Sequence, residues 1–226
     1  MIRKLVVLAV IVATLADGVR AQAQVAPGAQ EVKKYRGLFA AAASGNNRSA
    51  KQLLAQGANP NAVDGYGRTP AHVAAFFRRR TTLATLLRNG TNPNALESDR
   101  YDIITIAAVA NDAETIRVAL RHGAKATNIT SRYDGTALIA AAHLGNVEAV
   151  RVLVDAGAPL DHINNLHWTA LLEAVILGDG GPRHRAIVRI LLDAGADTEI
   201  ADASGVTPLG HAVSREYTDM AKLFKA

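Results

Sequence analysis

The sequence predicts an all-α solenoid of about six helix-turn-helix units joined by finger loops. Three observations predict it. First, a glycine closes a leucine-rich segment at Gly57, Gly90, Gly123, Gly157 and Gly195, in steps of 33, 33, 34 and 38 residues. Second, a Thr, Asp or Arg (Arg36, Thr69, Asp102, Thr136) stands 21 residues before each of the first four glycines, and Thr169 stands 26 before the fifth. Third, each of these positions opens an alanine-rich stretch, and Thr207 opens a sixth. A fixed period near 33 residues means stacked supersecondary units, each burying its apolar face against its neighbours rather than in one common core.

The elements follow in order. Thr and Asp are preferred helix N-caps, because the side-chain oxygen accepts a backbone N–H that has no helical partner. Pro70 and Pro208 follow two of them, at the helical position where a missing N–H costs nothing. Ala40–Ala43 and Ala140–Ala142 make the first helices thin enough to pack closely, and pairs such as Leu86-Leu87 and Leu191-Leu192 give the second helices their bulk. The glycine after each pair suits a left-handed C-cap. Asn59-Pro60-Asn61 and Asp64-Gly65-Tyr66-Gly67 carry turn formers, so the fingers are read as loops with at most two-residue ladders.

Thr69-Pro70-Ala71-His72-Val73-Ala74, with the Leu-Leu-x-x-Gly ending and the finger that follows, resembles the ankyrin repeat. The resemblance spans residues 31–226, in units of about 31–63, 64–96, 97–130, 131–163, 164–201 and 202–226. Arg36 stands where the first unit should have Thr, His72 alone fills the histidine position, and the sixth unit stops at Leu223-Phe224. Atypical end units are expected where one face meets water.

The N-terminus reads as a secretory leader. Arg3 and Lys4 precede an apolar run from Leu5 to Ala16, and Ala21-Gln22-Ala23 is a small-residue cleavage site. A leader over 1–23 and a linker over 24–30 are therefore expected, with a periplasmic or secreted protein as the product. Cleavage lowers the formal net charge from +5 to +3 by removing Arg3, Lys4, Asp17 and Arg20. The apolar run is shorter than the roughly 20 residues that span a bilayer. There is no cysteine, which excludes disulfides and thiolate chemistry.

Catalytic and metal motifs are weak. The seven histidines form no H-E-x-x-H pair, no serine lies in G-x-S-x-G, and the glycines at 178, 180 and 181 lead into Pro182-Arg183-His184 rather than the Lys-Ser/Thr of a phosphate loop. No cofactor, metal or nucleic-acid partner is expected. The larger of two insertions, five residues near 178–185, lies between the helices of unit five, and a single extra residue falls near Ser131–Gly135. Glu173 occupies a normally apolar position and is read as a charge facing the groove.

The resemblance implies a non-catalytic protein-binding module that contacts its partner through finger tips and the groove face of the first helices. The residues matching those places are Tyr66, Tyr101, Tyr133, His167 and Trp168 in the fingers and Phe76, His143 and Ile176 in the groove. The chain is expected to act as a monomer on an unidentified protein partner. Two alternatives stand beside this reading: an enzyme or small-molecule or anion binder built on Glu173 and the 178–185 insertion, and a secreted effector.

Overall fold

Every expected N-cap from unit two onward begins a helix, and the reason is local. The side-chain oxygens of Thr69, Asp102, Thr136, Thr169 and Thr207 each accept the amide three residues on. Arg36 makes no such bond. In the computed structural model, which describes residues 25–225, these caps open α2 (Gly37–Ser44), α4 (Pro70–Phe76), α6 (Ile103–Val109), α8 (Ala137–His143), α10 (Ala170–Ile176) and α12 (Pro208–Ser214). The second helices are α3 (Asn47–Ala55), α5 (Arg80–Arg88), α7 (Ala113–Arg121), α9 (Val147–Asp155), α11 (Pro182–Asp193) and α13 (Thr218–Ala221), the last running into a short 3₁₀ turn, Lys222–Lys225. The expected leader and its cleavage site lie outside the described residues.

First helices stack on first helices and second on second, giving two layers with the core between them. Ala42, Ala74, Ala107, Ala141 and Ala174 are sealed in the inner layer, and Leu86, Ile116, Leu153 and Leu191 fill the space behind. The closing glycines have φ of +84, +89, +88, +75 and +91° at 57, 90, 123, 157 and 195, the left-handed cap that the spacing predicts. Each finger is pinched by a backbone bond across its base, Asp64 to Arg68, Glu97 to Tyr101, Thr130 to Gly135, Asn164 to Trp168 and Asp202 to Val206, and a second bond closes the turn inside it. Among the described residues no strand forms, and Thr130 and Gly135 make one isolated antiparallel bridge.

One expectation is corrected at the N-terminus. The linker over 24–30 is partly helical, because α1 (Ala29–Lys34) begins inside it. This segment is fastened to unit two by Arg68, which is fully buried. Its guanidinium bonds Glu31, Asp64 Oδ2 (2.9 Å) and the Val25 carbonyl (3.1 Å) and covers the face of Tyr66 at 4.5 Å. The Tyr35 hydroxyl donates to Asp64 at 2.8 Å. Burial and that carboxylate together push the Tyr35 phenol well above the ordinary tyrosine range.

The seams between units share one device. The C-terminal carbonyls of a helix have no partner within it, and here a side chain from the adjacent unit reaches them. Arg79 donates to the Ala43 carbonyl (3.0 Å), Arg78 to Ala110 (2.7 Å), Asn146 to Ala108 (2.8 Å) and Val109 (3.0 Å), and Tyr217 to Gly178 (3.0 Å). His184 Nε2 meets the His143 carbonyl at 3.2 Å.

The five-residue insertion is absorbed structurally. Three residues lengthen the second helix of unit five, since α11 has 12 residues where α9 has 9. The remaining two extend the turn 177–181. Asp179 accepts the Gly181 amide and contacts His184 Nδ1, both at 2.9 Å. Those two hydrogen bonds, the Gly181 amide first, hold its carboxyl below the usual range. Gly180 lies at φ +68° against the Tyr217 ring, where a Cβ would come within 2.6 Å.

Two predictions arise from this packing. Gly157 has open space where a Cβ would stand, so Gly157→Val should destabilise through backbone conformation alone, by roughly 1–2 kcal/mol. Thr85 has the opposite expectation. Its hydroxyl is buried without a hydrogen-bond partner, and its counterparts one and two units on are Val118 and Val152. Thr85→Val should therefore stabilise by about 1 kcal/mol. Urea unfolding of both variants beside the parent checks the two signs.

A third concerns pH. His72 Nδ1 faces the Thr69 amide at 3.1 Å and Nε2 the Ala95 carbonyl at 3.0 Å. The ring is therefore neutral, with its proton on Nε2, and burial pushes its pKa below the ordinary value. The unfolded chain takes up this proton first as pH falls below about 6.5, so stability is full above that pH and is lost below it. Unfolding midpoints at pH 7 and pH 5 should diverge less in His72→Gln than in the parent.

Candidate partner-binding surface

The fingers carry the exposed apolar chemistry of this molecule. Within a finger the chain turns from outward to inward positions as it approaches the helix N-cap. Three residues before the cap points outward: Tyr66 is 51% exposed, Tyr133 42% and Leu166 44%. One residue before the cap points inward: Arg68 is sealed, Tyr101 is 7% exposed, and Trp168 is half-buried. The residue between them, Arg100, Asp134 or His167 in units three to five, takes a positive φ that reverses the chain. Tyr66, Tyr133 and His167 therefore stand at the tips as the sequence places them. Tyr101 does not; its ring turns into the stack, and it is withdrawn from the surface. Trp168 presents only part of its indole.

A second set of exposed side chains escaped the sequence reading. Val63, Leu96, Ile129 and Ile163 lie on the rising limbs of fingers two to five and are 62, 42, 48 and 47% exposed. Their steps of 33, 33 and 34 repeat those of the closing glycines. An aliphatic residue recurring on the repeat period, in a segment otherwise made of turn formers, was the available signal. With the tip residues they form a stripe along four fingers. Backbone bonds between neighbouring tips hold it in register: Ser98 N to Tyr66 O, Ser131 N to Arg100 O and Asn165 N to Tyr133 O, at 2.9–3.0 Å. Crossed ion pairs join tips three and four, Arg100 to Asp134 (2.7 Å) and Arg132 to Asp99 (3.0 Å).

In the groove, Phe76 is half-buried and His143 is open. Ile176 is a correction: it is buried, as is all of α10, which lies between α8 and α12 with α11 behind it. Glu173 is likewise not a surface charge. It is 4% exposed, and both its oxygens are engaged, Oε1 by Asn164 Nδ2 (3.0 Å) and Oε2 by His143 Nδ1 (3.1 Å). A carboxylate taken from water needs such partners; Asn164 holds it within unit five, and His143 ties unit four to unit five. A parallel pair closes unit six, His211 Nε2 to Asp202 Oδ2 at 2.8 Å.

Hollows occur at the far end of the stack. One of about 250 Å³ is lined by Gly180, Arg185, Tyr217 and Asp219, and another of about 430 Å³ by Arg185, Arg189 and Leu223; Glu173 lines neither. Among the described residues no group of three His, Asp or Glu side chains is placed to hold a metal ion. No described helix is long and apolar enough to cross a membrane.

Comparison with known proteins agrees with this architecture. Family models for ankyrin repeats match residues 79–162 and 104–202 (three copies) and residues 38–88 (many copies). The ankyrin repeat protein YahD of Escherichia coli (strain K12) is 36% identical over 100 residues, which are 44% of this chain and 50% of that protein. The chain thus spans half the length of that curated relative. Among solved structures, an ankyrin repeat domain from Acinetobacter baumannii AYE is 40% identical with a TM-score of 0.79, covering 83% of this chain and 95% of its own. The ankyrin repeat protein EF0377 is 30% identical with a TM-score of 0.79, covering 85% of this chain and 98% of its own. Caps, closing glycines, fingers and family matches lead to one conclusion: the chain belongs to the ankyrin repeat family.

Proposed function

We propose that this protein is an exported, non-catalytic binding module, acting as a monomer, that grips a protein partner with the fingers of units two to five. Ankyrin repeats are a protein–protein interaction fold. One observation carries the finer reading: of the ten large hydrophobic side chains exposed among the described residues, seven lie on those fingers. Apolar side chains gathered on one surface mark interaction sites, and aromatic residues among them are the usual anchors. Tyr66 and Tyr133 are the anchors, Val63, Leu96, Ile129 and Ile163 the surrounding apolar contacts, and His143 and His167 the polar margin. Export rests on the N-terminal leader pattern alone. The enzyme reading is weaker, because Glu173 spends both oxygens on neighbouring side chains.

The test begins with a pull-down from the extracytoplasmic fraction and mass spectrometry. Calorimetry against the recovered partner should then show Tyr66→Ala and Tyr133→Ala each weakening binding by roughly 2 kcal/mol. Tyr101→Phe should change it little. Full affinity in the Tyr66/Tyr133 double variant, with its circular dichroism intact, would overturn the finger site.

A further inference from the structure

Charge is unevenly distributed along this stack. Residues 25–96, which hold α1 and the first two units, contain ten Lys and Arg against Glu31 and Asp64, a formal charge of +8. Residues 97–226 contain twelve against seventeen acids, a formal charge of −5. Both acids of the basic part are already committed, since Glu31 and Asp64 close on the buried Arg68. Arg78 and Arg80 share Asp112 of unit three, at 3.9 and 2.7 Å. The other cations are exposed: Lys33, Lys34 and Arg36 at the N-terminal end, Arg48 and Lys51 on α3, Arg79 and Arg88 flanking α5. Among the described residues none of these seven has a carboxylate within ion-pair distance; the nearest partners of Arg36 and Arg79 are backbone carbonyls.

These cations are spread over three helices and do not converge, so they build no pocket for a single anion. They match a partner that is itself an array of negative charge. Protein interfaces are anchored by buried apolar side chains, yet no exposed large hydrophobic lies on α3 or α5; the finger residues and Val25 are the exposed ones in this part of the chain. Single-stranded nucleic acid needs exposed aromatic platforms, and Phe76 and Phe77, beside Arg78, are half-buried. A broad face of cations without anchors or platforms is suited to a surface held by charge alone, where each Lys or Arg near an anionic bilayer strengthens association about fivefold.

We propose that the outer face of units one and two docks this protein electrostatically on an anionic phospholipid surface. Docking there uses α1, α3 and the two ends of α5, and leaves the finger stripe uncovered. The inference is independent of the finger reading, because the two surfaces share no residue.

Vesicle co-sedimentation tests it, using the whole chain as recovered from the expressing cell with its N-terminus established by mass spectrometry. The readout is the ratio of binding to vesicles of phosphatidylglycerol and phosphatidylcholine over pure phosphatidylcholine. That ratio should exceed about tenfold at low salt and collapse at about 0.3 M salt, where the Debye length is short. The triple variant Arg48→Glu, Lys51→Glu, Arg88→Glu should lose at least about tenfold. A control triple in the acidic part, Arg121→Glu, Arg183→Glu, Arg189→Glu, changes net charge equally and should stay within about threefold. Circular dichroism checks the fold of each. Three results would overturn the proposal: no preference for anionic vesicles, equal loss in both triples, or equally tight binding to a short DNA duplex or to polyglutamate.

Discussion

A short helix cannot satisfy the carbonyls at its own C-terminal end, and this constraint organises the molecule. The first helices have seven or eight residues, so those carbonyls are a large share of their backbone. Across each of the five seams a side chain of one unit reaches a carbonyl at or just past the first-helix end of its neighbour, through arginine, asparagine, histidine or tyrosine; the donor comes from the earlier unit at the second seam and from the later unit at the other four. Each unit is thus bonded to its neighbour, which is why stability in such a stack is shared between rungs. The fingers obey the same rule at the opposite edge. A bond across the base closes each, and backbone bonds from tip to tip join fingers two to five.

The parts of the fold legible in the sequence were those decided within a few residues. A Thr that caps three residues on, and a glycine that must turn left-handed, declare themselves by type and spacing. The same holds for the family, whose motif is a set of local offsets. What was not legible depended on pairing between units. Glu173 read as a groove charge because its partners stand nine and thirty residues earlier, at Asn164 and His143. Tyr101 read as a tip residue because aromatic identity does not say which side of a one-bond hairpin a ring will take. A positive-φ residue separates the positions one and three before the cap, and Arg68, Tyr101 and Trp168 all fall on the inner side. The aliphatic stripe is legible in the spacing of Val63, Leu96, Ile129 and Ile163, although no aromatic marks it.

The three surfaces of the stack have separated their chemistry. Fingers expose aliphatic and aromatic side chains, the groove of units four to six holds carboxylate–histidine pairs, and the outer face runs from basic to acidic along its length. At the ends of the second helices Arg88, Arg121, Asp155 and Asp193 record that change one residue per unit. Arg68 is the exception that keeps these regimes apart. It is a cation buried at the base of a finger, and it draws in the acids that would otherwise neutralise the basic end.

Unit five differs from its neighbours by one added helical turn, and that asymmetry bears on how the chain assembles. Rungs of nearly equal shape carry a hazard: a unit that folds late can seat on the wrong neighbour, leaving one looped out. The extra turn makes α11 about 4.5 Å longer than a standard second helix, and the widened turn before it offers Tyr217 both the Gly178 carbonyl and a glycine with no Cβ in the way. The equivalent turn of unit four carries Leu144 and Asn146 around Gly145, with Asn146 already bonded to unit three. The seam between units five and six therefore has a shape that the seam between units four and five lacks, and the insertion sets the last unit's seat apart from the others.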